Sequence, residues 1–372
     1  MKINILKHIL FLFTIILASC AKTIPSNALS PENIKVLIFK DLKEVTIDGI
    51  DDITSAEKLT AKNTSILVTT NDLKINSQPI RFSSQNGILY VNNRPFRGEI
   101  EITRNEKGLL VINNLDIEIY LVGLINHEIS SKWNVEAVKA QAVIARTYAL
   151  HQKKKNAGNL YHLEGTVIGQ VYSGSITEDE AALEAVKQTM GEVLTYNSEL
   201  ALAVYHSNAG GYTEASKNVW AKDYPYLRTV ESPYDILSPN FEWGMSIAPI
   251  DLFNALNNTG YKTGEIEQII PLEKTSTGRI TKIRIIHKNG KLEITGEDLR
   301  KVLGYDKLKS TRFEIKPVLE DGAVKLFVFS GKGSGHGVGL SQWGAKGMAE
   351  NGYTYKEILK HYYKGIEITK IY

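Results

Sequence analysis

Residues 119–150 read IYLVGLINHEISSKWNVEAVKAQAVIARTYAL. Leu121, Ile125 and Glu128 are spaced i, i+4 and i+7, so in a helix they share one face, with Leu124 beside them. The pattern breaks at Ile129-Ser130-Ser131 and restarts at Asn134, which places Glu128 near a helix C-terminus, where the dipole disfavours negative charge. Desolvation against the apolar stripe and that dipole both push the acid's pKa upward. A carboxylic acid kept protonated near neutral pH is what a general acid for ether or glycosidic cleavage requires. The same spacing suits a surface residue that closes a helix, and on spacing alone that plainer reading is the better one.

The second half of the stretch predicts a helix from Asn134, a plausible N-cap, to about His151. Ala137, Ala140, Ala142, Ala145 and Ala149 would let neighbouring backbone approach it closely. Lys139 and Arg146, seven apart, lie on one face that is either a solvated stripe or the cationic wall of a cleft. Taken alone, the solvated stripe is the better reading.

The whole chain has 372 residues, 43% hydrophobic and 23% charged, enough apolar content for a substantial core and against disorder. Its 44 basic residues barely exceed its 41 acidic ones, and no dense basic run interleaved with aromatics appears, which argues against a nucleic-acid partner. Residues 1–19 have a basic start, an apolar run at 9–17 and small residues before Cys20, the pattern of a secretory leader. Leu17-Ala18-Ser19-Cys20 resembles a bacterial lipobox, and Cys20 is the sole cysteine, so no internal disulfide can form and the thiol falls where lipidation needs one. The expectation is an exported envelope protein, lipid-anchored on the periplasmic side. Ala21 is compatible with outer-membrane sorting. Residues 21–34, with two prolines, read as a tether.

Short β-prone runs at 36–39, 65–69, 88–91, 99–103 and 109–112, separated by turn signals such as Asn86-Gly87 and Asn92-Asn93, predict a small antiparallel β unit over 35–119. A helix is expected from Thr177, with Glu180 completing a capping box, to a stop at Gly191. A strand pair turning at Tyr196-Asn197-Ser198 leads to His206-Ser207, where a histidine before a glycine turn is well placed to face a cleft, although it is more often structural. Residues 250–330 read as mixed helix and strand, with Asn289-Gly290 a strong hairpin signal. In 331–339, GKGSGHGVG, glycine at every second position implies an extended segment with something packed against bare backbone. Two helices, from Ser341 and from the capping box Thr354/Glu357, finish the chain.

Several of these blocks together resemble the SpoIID/LytB family. They are YLVG at 120–123 leading to Glu128, Trp133, EAVKAQAV at 136–143, ARTYAL at 145–150, QVYSG at 170–174, YHS at 205–207, Gly210-Gly211, STGR at 276–279, Leu299-Arg300 and GHGVGLSQWGA at 335–345. The resemblance implies an α+β fold: the N-terminal β unit, then a mixed helix and strand core at 120–249 with a substrate groove, an insertion at 250–330, and a C-terminal part at 331–372 that completes the core. It implies a peptidoglycan lytic transglycosylase that cleaves between N-acetylmuramic acid and N-acetylglucosamine in strands stripped of stem peptides, leaving 1,6-anhydro ends. Glu128 would be the catalytic acid and then base, since the sugar's own 6-hydroxyl can attack and no second carboxylate is needed to activate water. Lys139, Gln141, Arg146, Tyr148, His206, Ser207, His336 and Gln342 occupy matching blocks and would line the glycan groove.

The family's amidase-enhancer branch offers a different reading, a protein that binds denuded glycan and stimulates a cell-wall amidase. A hydrolase pairing Glu128 with Asp116 or Asp223 ranks lowest. The chain has Ser130 where the family usually has proline. No cofactor is expected, and no metal: the thiolate zinc site of some family members cannot form here, leaving His162 without cysteine partners.

Overall fold

The computed structural model describes residues 32–50, 52–54, 65–166, 170–220 and 222–372, so the expected leader, Cys20 and nearly all of the tether lie outside them. The fold is α+β, with several sheets and seven helices among the described residues. No helix there is long and apolar enough to cross a membrane.

The N-terminal runs alternate buried and exposed side chains, and they pair into two sheets. Strand Asn33–Leu42 lies antiparallel to Gly108–Asp116, which pairs on its other side with Glu99–Asn105. Ile80–Ser83 and Asp52–Thr54 extend that sheet at one edge, and the short Leu163–Glu164 joins it in parallel at the other. The second sheet runs in the order Ser65–Thr69, Glu44–Asp48, Ile88–Val91 and Arg94–Arg97. Its last two strands turn at Asn92 and Asn93, both at positive φ, as a tight hairpin requires. Val36, Ile47, Phe82, Leu89, Phe96 and Val111 from the two sheets share one core.

Helix α1 (Ile117–Glu128) starts where strand Gly108–Asp116 stops, because the Asp116 carboxylate accepts from the Glu118 and Ile119 amides and caps it. Helix α2 (Val135–Lys155) is capped by Asn134. It is buried on two sides: Val138, Ala142, Ala145 and Ala149 belong to the β-unit core, whereas Ala137, Ala140, Val143 and Ile144 belong to a second core built from the C-terminal part of the chain. The small alanine side chains allow this double contact.

Helix α3 (Glu180–Gln188) begins later than expected. Asp179, not Thr177, caps it by accepting from the Ala182 amide at 2.8 Å, while the Thr177 hydroxyl turns to the Gly123 carbonyl. Strand Glu192–Tyr196 then pairs with Glu199–Leu200 and with the C-terminal Glu367–Lys370.

Residues 242–332 surround a third core that includes Trp243, Leu252, Ile283, Phe313 and Phe329. Helices α4 (Pro249–Asn258) and α5 (Gly296–Leu303) accompany two three-stranded sheets. Strands Glu242–Ile247 and Ile266–Lys274 had no counterpart in the sequence pattern. Both are edge strands with few buried positions, and the second carries Pro271, so their hydrophobic alternation is weak. The chain then returns to the first part of the molecule: Leu340–Ser341 pairs in parallel with Tyr205–His206, and α6 (Gln342–Glu350) and α7 (Tyr355–Tyr362) complete the second core.

Candidate active site

Glu128 is the last residue of α1 and is partly buried. Its Oε1 accepts from the Val171 amide at 3.0 Å, its Oε2 lies 3.5 Å from Nε2 of Gln342, and the Tyr205 hydroxyl also bonds to the carboxylate. Burial pushes its pKa up, and these three donors only partly offset the desolvation. The side chain is therefore an acid with a raised pKa surrounded by donors that stabilise its anion.

A second ring of hydrogen bonds holds those donors. Gln170 accepts from the Tyr120 hydroxyl at 3.0 Å and lies 3.2 Å from the Tyr205 hydroxyl. Gln342 also lies 3.4 Å from Oε1 of Gln141, which projects from α2. Tyr148 sits two turns further along α2, its hydroxyl bonded to Gln152 and subject to the charge of Glu128. Burial, followed by the nearby Glu128 charge, pushes the Tyr205 phenol well above its ordinary pKa, so it remains a neutral donor.

The turn after Glu128 is held by side-chain hydrogen bonds. The Ser131 amide donates to Oδ1 of Asn126 at 2.8 Å, its hydroxyl donates to Asp179 at 2.6 Å, and Asn126 donates to the same carboxylate. Asp179 thus caps α3 and fastens the end of α1.

The remaining expected groove residues fall elsewhere. Arg146 is 0% exposed. Its guanidinium makes a two-pronged pair with Glu118 at 2.8 and 2.6 Å and also donates to the Glu192 carbonyl, tying α1 to α2 inside the protein. Lys139 pairs with Glu136 at 2.8 Å beside the Tyr355 ring. Ser207 supplies a carbonyl to the Trp343 amide at the start of α6.

His206 and His336 are neighbours, with ring centres 5.5 Å apart. His206 Nδ1 donates to the Val338 carbonyl, and His336 Nδ1 accepts from the Val338 amide. Burial, then the Arg279 and Arg300 guanidiniums, pushes His336 down to about 4, and burial, then the neighbouring His336 and Arg279, pushes His206 well below its ordinary value, so both are neutral at pH 7. His336 also bonds to the backbone of Tyr205 and so supports a residue that touches Glu128.

Among the described residues no carboxylate is one of the groups that bear on Glu128. Asp116 caps the opposite end of α1, about 18 Å away at 1.5 Å per residue. Asp223 pairs with Arg228 at 3.0 Å on the surface. Among the described residues no group of three or more His, Cys, Asp or Glu could hold a metal ion. His162 accepts from the Lys35 amide.

Tyr205, Gln170 and Val171 were not expected at the site, although two of the sequence blocks contain them. Their proximity to Glu128 comes from long-range packing, 43 residues away in the case of Val171, and leaves no local periodicity to read.

Residues 105–196 match the model of the family described as Stage II sporulation protein, and residues 239–339 match a Domain of unknown function (DUF8618). An uncharacterized protein of Brachyspira hyodysenteriae is 34% identical over 80% of this chain and 78% of its own length. The Stage II sporulation protein D of Bacillus subtilis is 31% identical over 70% of this chain and 76% of its own. The Amidase enhancer of the same organism is 31% identical over 67% of this chain but only 40% of its own length. With its glutamate-centred blocks in order and identity sustained over most of its length, the chain belongs to the SpoIID/LytB family, which supports a role connected with peptidoglycan.

Proposed function

We propose that the protein is a lytic transglycosylase acting on denuded peptidoglycan strands through Glu128. The observation that carries this reading is a single partly buried carboxyl, its pKa raised by desolvation, with three hydrogen-bond donors and, among the described residues, no carboxylate bearing on it. In the neutral form Glu128 gives its proton to the glycosidic oxygen as the bond to C1 of the muramic acid breaks. The 6-hydroxyl of the same sugar then forms a bond to C1, and its proton returns to the carboxylate. No water is consumed and the acid is regenerated. Val171, Tyr205 and Gln342 would stabilise the anion formed midway.

A lipid anchor at Cys20 would hold the enzyme at a membrane facing the wall, which acyl labelling of the protein and of Cys20→Ser would test.

A second reading is favoured by the relative described as an Amidase enhancer: a protein that binds denuded glycan and stimulates an amidase without cleaving. Mass spectrometry of denuded strands incubated with the protein separates the two. Anhydromuramic ends made by the unaltered protein and lost in Glu128→Gln, by about 10²–10⁴-fold for a general acid, support the enzyme. Binding and amidase stimulation without cleavage, equal in both proteins, support the enhancer.

A further inference from the structure

Tyr148, His151, Gln152 and Lys155 share one face of α2, and that face lines an open cleft of about 670 Å³ whose other lining includes Lys154, Trp220 and Lys222. Tyr148 connects this cleft to the acid, because its hydroxyl lies within reach of the Glu128 charge. The cleft is electrostatically one-sided. Lys154 is paired with Glu199 at 2.6 Å, whereas among the described residues Lys155 and Lys222 have no carboxylate partner, and Lys222 stands 4.8 Å over the Tyr224 ring instead. His151 has a buried Nδ1 without a hydrogen-bond partner. Two unneutralised ammonium groups and the aromatic surfaces of Tyr148 and Trp220 converge on one space. Such a set suits a ring-shaped ligand that carries an anion, with the rings taking the apolar face and the lysines the charge.

We infer that this cleft is a subsite for a muramic acid whose lactyl carboxylate is free, with Lys155 and Lys222 holding the carboxylate and Trp220 the sugar ring. The inference rests on the glycan reading proposed above and adds how a stripped strand is told from one whose lactyl group is still an amide: only the stripped strand carries a carboxylate on the lactyl group itself.

The test is equilibrium binding by the full chain carrying Glu128→Gln, which separates binding from cleavage. The probes are denuded strands and the same strands with their carboxylates converted to primary amides. The expected result is binding of the carboxylate strands about tenfold or more tighter than the amides, the scale of hydrogen bonds to a charged group. Adding Lys155→Ala and Lys222→Ala removes the preference, and Lys155→Arg with Lys222→Arg keeps it. Equal binding of both strands by the Glu128→Gln protein overturns the subsite, as does a preference that survives the double alanine change. Binding of neither strand overturns both the subsite and the glycan reading. A clear carboxylate preference with no anhydro ends made by the unaltered protein leaves the subsite standing and overturns the transglycosylase.

Discussion

Nε2 of Gln342 stands 3.5 Å from Oε2 of Glu128, across 214 residues of sequence. The contact joins the end of α1 to the start of α6, and it exists because Leu340–Ser341 pairs with Tyr205–His206 and Ser341 caps α6. The carboxamide can reach both Glu128 and Gln141 from there. Gln342→Ala is expected to leave the fold intact and to reduce cleavage of denuded strands by about tenfold, the effect of losing roughly 1.4 kcal/mol of transition-state stabilisation. Rates of anhydro-end formation, with thermal melts as the control, check this.

Arg146 and Glu118 form a buried ion pair. Removing one partner of such a pair costs about 3–5 kcal/mol because the other charge stays buried and uncompensated, whereas replacing both by neutral groups is far less costly. Arg146→Met is therefore expected to lower the urea midpoint strongly, and Glu118→Gln in the same chain to recover much of the loss. Wild-type stability in Arg146→Met together with lost cleavage would instead place the guanidinium on the substrate.

Glu128 has its folded-state pKa raised by burial. The sign follows from linkage: its protonated form is favoured by folding, so the stability it contributes is present below the ordinary glutamate pKa and is lost as pH rises through the raised folded value. Glu128→Gln should accordingly melt close to the unaltered protein at pH 4 and above it at pH 8. Cleavage by the unaltered protein should decline over the same rise, since the acid form starts the reaction.

Tyr205 donates to the Glu128 carboxylate and so favours its ionised form. Removing the hydroxyl in Tyr205→Phe should raise the Glu128 pKa further and move the alkaline limb of the pH–rate profile to higher pH. An unmoved limb with a uniformly lower rate would mean that the phenol acts on the substrate and not on the acid.

Gly339 lies at φ +74°, and a Cβ built there would stand 2.0 Å from the Val204 carbonyl oxygen. Both the backbone conformation and the contact exclude a side chain, and backbone cannot swing aside as a side-chain tip could. Gly339→Ala is expected to cost about 3 kcal/mol or more, measured by denaturant unfolding, and to disturb the pairing that brings Gln342 to Glu128.

Local pattern was enough for much of this protein. The β runs of the N-terminal unit, the positions of α1 and α2, the capping box at Thr354 and Glu357 and the hairpin at Asn289-Gly290 all rest on interactions within a few residues, and they appear where periodicity and turn chemistry put them. Glycine at alternate positions likewise announced close backbone approach, and Gly333, Gly335, Gly337 and Gly339 each leave no room for a Cβ. Glu128 at the end of an apolar helix was legible for the same reason. Only the tertiary structure decided what surrounds it. Whether Arg146 faces a cleft or a buried Glu118 depends on which second element covers that face of α2, and a helix with apolar residues on two sides does not encode the choice. Tyr205, Val171 and Gln342 reach the carboxylate through sheet pairing and core packing between distant segments. The raised pKa of Glu128 is thus a property of the assembled core, since desolvation requires all the surrounding walls to be in place.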